Sequence, residues 1–397
     1  MTTDKHNKRP NVPPLRFPEF TDEWETRKLS EFTERVTRKN KGQTNLPLTI
    51  SAQYGLVDQI SFFNNKVASA DMSNYYLLKK GEFTYNKSYS TDYPLGAIKR
   101  LDRYEMGALS TLYICFKING DIESDFLVHY FESPKWHRGV YEIAGEGARN
   151  HGLLNIAVGD FFETQHFRPK SIREQEKIAH FLTLIQHRIE VQSGLIEDLQ
   201  KLKAALVERL FCNKQGWKRY KYRDLLSPIS ERNSGNQFSN VLSASQELGM
   251  VSRTDLDIDI KFDRSAVTTY KIVRNGDYVL HLRSFQGGLA FSSMTGICSP
   301  AYTILRPKKE LEYGFFQEYF MSKSFINSLR LVTYGIRDGR SINVDEFLEM
   351  PVGIPDSDTQ CRIISILSIM NRRLRLAIKQ KENYIKQKQY LLQQMFI

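Results

Sequence analysis

The chain of 397 residues carries 56 Lys and Arg against 45 Asp and Glu, a formal charge of +11 at neutral pH. Its 41% hydrophobic and 25% charged residues predict a globular protein of two or three domains and exclude a disordered chain. No run approaches the ~18 apolar residues of a membrane span, and the positive excess points to an anionic partner.

Residues 1–18 form a polar tail without the apolar core of an export signal. Residues 19–168 make a first globular region, rich in Tyr, Phe, Gly and short alternating apolar runs. Runs of this kind, bounded by Gly and Pro, predict strands and turns, as at 112–116, while 125–133 predicts a short helix. Trp24, like Trp217 in the second globular region, reads as a core anchor. Beyond the strand opened by Gly81-Glu82-Phe83, segment 86–91 carries Lys87, Ser88 and Tyr89. This cation, hydroxyl and aromatic suit phosphate positioning plus base contact, or else belong to a hairpin whose aromatic enters the core. Lys99, Arg100 and Arg103 either grip a polyanion or form a solvated charged turn. In segment 147–152, Gly147 and Gly152 permit close backbone approach, and Arg149, with Asn150 and His151 beside it, can reach guanine or a phosphate. The alternative is a structural turn whose arginine pairs with Glu146.

Residues 169–212 predict a long helix, with Pro169 upstream, Ser171 as a candidate cap and Gly194 the single glycine. Steps of four and three give Ile178, Leu182, Ile185, Ile189, Gln192, Ile196, Leu199, Lys203, Leu206 and Leu210, an almost wholly apolar coiled-coil seam. At ~1.5 Å per residue such a helix is about 60 Å long.

Residues 213–355 form a second globular region and residues 356–397 a second long helix, in which Asp358 is the candidate cap. Here the chain repeats itself. Trp217 answers Trp24, and 272–278 answers 77–83. Arg283-Ser284-Phe285, followed by Gln286, answers Lys87-Ser88-Tyr89. Gly335-x-Arg337 followed by Asn343-Val344 answers Gly147-x-Arg149 followed by Asn155-Ile156, and Arg337 has Asp338 and Arg340 beside it. Gln360-x-x-Ile363 answers Gln175-x-x-Ile178, and Phe396 answers Phe211. The order is kept throughout, so the chain is a tandem duplication. Segment 302–305 predicts a strand and 315–322 a short helix. The second helix repeats the seam 185 residues on, as Ile363, Leu367, Met370, Leu374, Ala377, Lys381, Tyr384, Lys388, Leu391 and Met395. Lys203 and Lys388 share one slot, where they either fix the register or snorkel from a loose end of the coil. A lone amphipathic helix cannot bury its stripe. The predicted class is therefore α+β: two mixed α/β domains in tandem duplication, separated by two long helices that form an antiparallel coiled coil with pseudo-two-fold symmetry. A ruler of this kind suits duplex DNA, whose half-sites recur at ~34–36 Å.

Signs of catalysis are absent. The chain contains no G-x-x-x-x-G-K-[ST] and no H-E-x-x-H, and its one Pro-Pro, Pro13-Pro14, is followed by Leu15 and not by an aromatic residue. Its eight histidines share no metal spacing between the repeats. Cys115, Cys212, Cys298 and Cys361 form no C-x-x-C pair, which excludes a zinc ribbon or disulfide scaffold and reads as reduced thiols in a cytoplasm.

The run Pro-x5-Gln-x-x-Ile at 169–178 recurs with one residue fewer at 355–363, ahead of helices ending Arg209-Leu210-Phe211 and Gln394-Met395-Phe396. With Trp24 and Trp217 opening the two regions, the chain resembles, from Phe17 to Ile397, the DNA specificity (S) subunit of type I restriction–modification systems. The resemblance implies that 19–168 and 213–355 are target recognition domains, each reading one half of an asymmetric bipartite site. It implies that the coiled coil sets the spacer and docks methyltransferase subunits. The implied partners are double-stranded DNA, two methyltransferase (modification) subunits and restriction/translocase subunits, with no membrane. S-adenosylmethionine, ATP and Mg then belong to those partners and no cofactor to this chain. One departure stands out: Thr359 precedes Gln360 where Glu174 precedes Gln175. Two other classes compete with this reading, a coiled-coil scaffold without nucleic-acid binding and a fused restriction or methyltransferase enzyme, the latter disfavoured by the missing motifs.

Overall fold

Strand by strand, the second half of the chain repeats the first. The computed structural model describes residues 11–397, apart from 52–53, 64–67, 70, 89, 91–92, 145–153, 213–214, 246–247, 256–263 and 336–340. The chain folds into two compact units, Met1–Val191 with Gln380–Ile397, and Gln192–Lys379. Each unit therefore contains one globular part and a piece of both long helices.

In the first unit, strands Thr33–Arg35, Ile114–Ile118, Phe83–Asn86 and Ala97–Arg100 form an antiparallel sheet in that order. Three two-stranded pairs accompany it: Glu25–Lys28 with Gln165–Arg168, Leu48–Ser51 with Gly55–Asp58, and Tyr76–Lys79 with Met106–Leu109. In the second unit, Leu226–Ile229, Thr303–Pro307, Tyr278–Leu280 and Ala290–Phe291 form the same sheet in the same order. Its pairs are Lys218–Lys221 with Pro351–Ile354, Leu242–Ser245 with Gly249–Ser252, and Lys271–Val273 with Gly296–Cys298. Among the described residues, only the short pair Thr333–Tyr334 and Ser341–Ile342 lacks a counterpart.

One repeated turn shows how sequence produces this geometry. Gly81 and Gly276 adopt φ of 85° and 96°, the left-handed region that favours glycine. The next residue, Glu82 or Asp277, accepts the N–H of the residue three before it at 2.8 Å, locking the turn. Each of these carboxylates is buried and holds an arginine: Glu82 meets Arg38 at 2.7 Å and Asp277 meets Arg306 at 2.9 Å.

The helices follow the apolar periodicity closely. The first long helix runs Ile172–Cys212 and the second Ser357–Gln394. The short helix expected at 125–133 lies at Ser124–Glu132, its first turn capped by the Glu123 carboxylate accepting from Phe126 N–H at 2.6 Å. The helix expected at 315–322 is instead turns and a 3-10 segment, Tyr319–Met321. A regular helix, Lys323–Ser328, starts only where Ser322 Oγ accepts the Phe325 N–H. Ser171 accepts the Glu174 N–H at 3.4 Å as a cap should, but the second helix is capped by Asp356, not Asp358, through the Thr359 N–H at 2.8 Å. Both caps lie four residues before the repeated glutamine, so the missing residue falls between proline and cap.

Aromatic side chains fill each core. Phe396, at the end of the second helix, packs in the first unit against Trp24, Phe126 and Tyr130, with ring centroids 6.4, 5.5 and 5.7 Å away. Phe211, at the end of the first helix, packs in the second unit against Trp217, Phe315 and Tyr319 at 6.1, 5.3 and 4.7 Å. The sequence match between these two phenylalanines is thus a match of environment. In the first unit Leu15 N–H donates to Gln394 O at 2.9 Å, tying the start of the described chain to the end of the second helix.

Candidate nucleic-acid interface

The two helices run antiparallel. In the first unit Lys388 donates to Gln186 at 2.8 Å; in the second Gln192 donates to the Ala377 carbonyl at 3.0 Å, and Lys203 and Asn371 converge on Glu318. Numbers fall on one helix as they rise on the other. All twenty seam positions counted from the sequence are buried or half-buried, while exposed residues separate most of them. Ile178, Leu182 and Ile185 share the first core with Leu391 and Met395, and Ile363 and Leu367 share the second with Val207 and Phe211.

The repeated glutamines join these helices to the globular parts. Gln175 accepts the Glu123 N–H at 2.8 Å and donates to Pro169 O at 2.9 Å. Gln360 accepts the Glu312 N–H at 2.9 Å and donates to Pro355 O at 3.1 Å. Both amides are buried. The departure at Thr359 is explained alongside: Glu174 accepts from Trp24 Nε1 at 3.0 Å and pairs with Arg16 at 2.7 Å, which fixes Trp24 at 2% exposure. Trp217, whose helix offers Thr359, is only half-buried.

The residues proposed from sequence to touch DNA meet varied fates. Lys87 is half-buried and donates to Ile156 O at 3.3 Å, while Ser88 is exposed, its N–H donating to Asn86 Oδ1. Lys99 lies 3.6 Å from Glu132. Arg100 is held by Asp102 and Asp125, each at 2.7 Å, and by Ser124. Burial opposes the charge of Arg100, but the two carboxylates raise its pKa above the ordinary value. Both cations lie in the strand Ala97–Arg100, not in a turn, and each has intramolecular acidic partners. Arg283, just before the short helical segment Ser284–Gly287, and Gln286 within it are exposed, and Arg283 forms no ion pair among the described residues. Ser284 is buried and accepts the His281 N–H at 2.8 Å, a local structural role. Tyr89, Arg149, Asn150, His151, Arg337, Asp338 and Arg340, and the side chain of Phe285, lie outside the described residues. The structure therefore brings Lys87 and Ser88 together, and Arg283 and Gln286 together, each pair after the second-listed inner strand of its sheet.

Glu132 and Glu318 escaped the sequence reading, because their partners lie far along the chain. Burial disfavours a charge on Glu132, yet the His129 hydrogen bond, Lys388 and Lys99 hold its carboxyl far below the usual carboxylate range. Among the described residues no cluster of His, Cys, Asp and Glu is arranged to hold a metal ion, and no helix is long and apolar enough to cross a membrane.

No protein-family model matches the chain, and no curated protein is similar to it in sequence. Solved structures are similar in fold. A type I restriction–modification system S subunit from M. genitalium superposes with a TM-score of 0.53 at 14% identity, over 97% of this chain and 99% of that one. A chain from a study of complex assembly and conformational transition of the type I R-M system gives a TM-score of 0.58 at 13% identity, over 93% and 96%. The chain has the S-subunit fold. The likeness spans both units and both long helices, so the resemblance noted in the sequence holds for the fold as a whole.

Proposed function

We propose that the chain is the sequence-specific DNA-binding subunit of a type I restriction–modification complex, without catalytic activity of its own. The observation that carries this reading is the doubling of one complete unit, globular part plus a piece of each long helix, within a fold shared with an S subunit. Two similar readers on one chain suit an address with two unlike halves, because the frame repeats while the candidate contact residues differ: Lys87 answers Arg283, and exposed Ser88 answers buried Ser284. The long helices set the spacer and dock two methyltransferase subunits, which bring S-adenosylmethionine; restriction/translocase subunits bring ATP and Mg. Docking is supported by exposed apolar residues at equivalent places 185 residues apart, Leu184 with Ile369 and Val191 with Leu376. The net charge of +11 supplies long-range attraction to the duplex. Methylome sequencing of cells expressing the chain with its methyltransferase subunits tests the reading. One asymmetric bipartite motif is expected; methylation without sequence preference leaves only a scaffold.

A further inference from the structure

Lys203 and Lys388 occupy the same slot of the duplicated seam, and both leave it in the same way. Lys203 Nζ lies 2.6 Å from Glu318 Oε2, while Glu318 Oε1 accepts from Asn371 of the other long helix at 2.6 Å. Lys388 Nζ lies 2.8 Å from Glu132 Oε2 and donates across the seam to Gln186 at 2.8 Å. One turn before Glu132, His129 Nε2 lies 2.9 Å from Thr183 Oγ1 of the first long helix. In each unit, therefore, a short helical segment of the globular part is held by both long helices around one carboxylate. The side chains of Lys203 and Glu318 are 24% and 10% exposed and those of Lys388 and Glu132 12% and 23%, so these pairs are partly shielded from solvent and are not the loose surface pairs that contribute little. Apolar packing slides at low cost, whereas an ion pair with fixed hydrogen-bond geometry specifies one arrangement.

We infer that Lys203–Glu318 and Lys388–Glu132 are positioning contacts that fix how each globular part is seated on its helix pair. Resting on the DNA-reading function proposed above, they thereby hold the spacer of the bipartite site to one length. The pairs touch no base; they act through the placement of the surfaces that do.

The test uses the full chain with exposed Cys212 and Cys361 changed to serine and spin labels introduced by Arg103→Cys and His187→Cys, both in the first unit. The distance distribution between the labels is narrow in this background. It broadens in Lys388→Met, which keeps the stem and removes the charge, and narrows again when Lys388→Glu is combined with Glu132→Lys. Circular dichroism confirms folding of each variant. In the methylome, Lys388→Met raises methylation at sites with one base pair added to or removed from the spacer by about tenfold, and the charge swap reverses it. A distribution as narrow in Lys388→Met as in the parent overturns the positioning role. If the parent methylates no bipartite motif, the DNA-reading function fails instead, and the label distances still decide whether the lysine positions the globular part.

Discussion

Arg168 and Ile354 end equivalent strands of the two units, and they hold those strands by different means. Arg168, 2% exposed, pairs with Glu25 at 2.8 Å and with Asp121 at 3.2 Å. Ile354, 3% exposed, packs in the apolar core of its unit. Two residues earlier the contrast recurs. His166 sits between Tyr130 and Thr164, its ring nitrogens 3.0 and 2.8 Å from their hydroxyls, where the second unit has Val352. Glu174, gripping Trp24 and Arg16, faces Thr359 in the same comparison. At the Arg168 position the backbone plan does not need a buried charge, since the second unit completes the same strand with the apolar Ile354. This accords with the general finding that a buried ion pair can be replaced by well-packed hydrophobic groups, although removing one partner alone is costly.

The comparison can be broken first at what the units share. Phe396→Ala and Phe211→Ala each empty an aromatic pocket and should each destabilise their own unit by ~3–5 kcal/mol, read by hydrogen exchange resolved to the unit. A large effect from only one of them breaks the equivalence of the two pockets.

The next effect separates the units by pH. Burial pushes the His166 imidazole down to about 4. Its protonation therefore favours the unfolded chain: stability is full above ~6.5, the unfolded value, and is lost as pH falls toward 4, by up to about 3 kcal/mol. His137 of the first unit and His281 of the second are shifted in the same direction by burial, so the loss in the first unit is shared and a control is needed. His166→Val, which copies Val352, should lessen the loss in the first unit and leave the second unchanged, as measured by urea denaturation at pH 7 and pH 4.5.

The smallest effect tests the departure at the helix start. Glu174→Gln should cost the first unit about 2 kcal/mol, because the shielded Arg16 loses its counter-charge. The reciprocal Thr359→Glu should change the second unit by less than ~1 kcal/mol, since a substitution at a half-exposed helix position disturbs little. Thermal denaturation of the two variants compares them, and equal losses would contradict the explanation of why only one unit keeps a carboxylate there.

Much of this architecture was legible in the sequence because it is periodic or repeated. The seam from Ile178 to Leu210, its copy 185 residues later, and the Gly81 and Gly276 turns are local signals that need no knowledge of distant contacts. What escaped was nonlocal. Lys99 and Arg100 look like free cations until the chain folds and brings Glu132 and Asp125 to them. The sequence marks Lys203 and Lys388 as misfits in an apolar row but says nothing of Glu318 and Glu132, which lie more than a hundred residues away. The glutamine motif was visible as a repeat, while its purpose depends on backbone N–H groups about fifty residues upstream. Asp356 took the cap from Asp358 because the missing residue lies between proline and cap, a shift that counting from the proline cannot reveal.

The most direct test of the DNA-reading account exchanges residues 213–355 for the corresponding region of another S subunit and maps methylation with the same methyltransferase subunits. One half of the bipartite motif should change, with the other half and the spacer kept. Alteration of both halves together, or of neither, would contradict it.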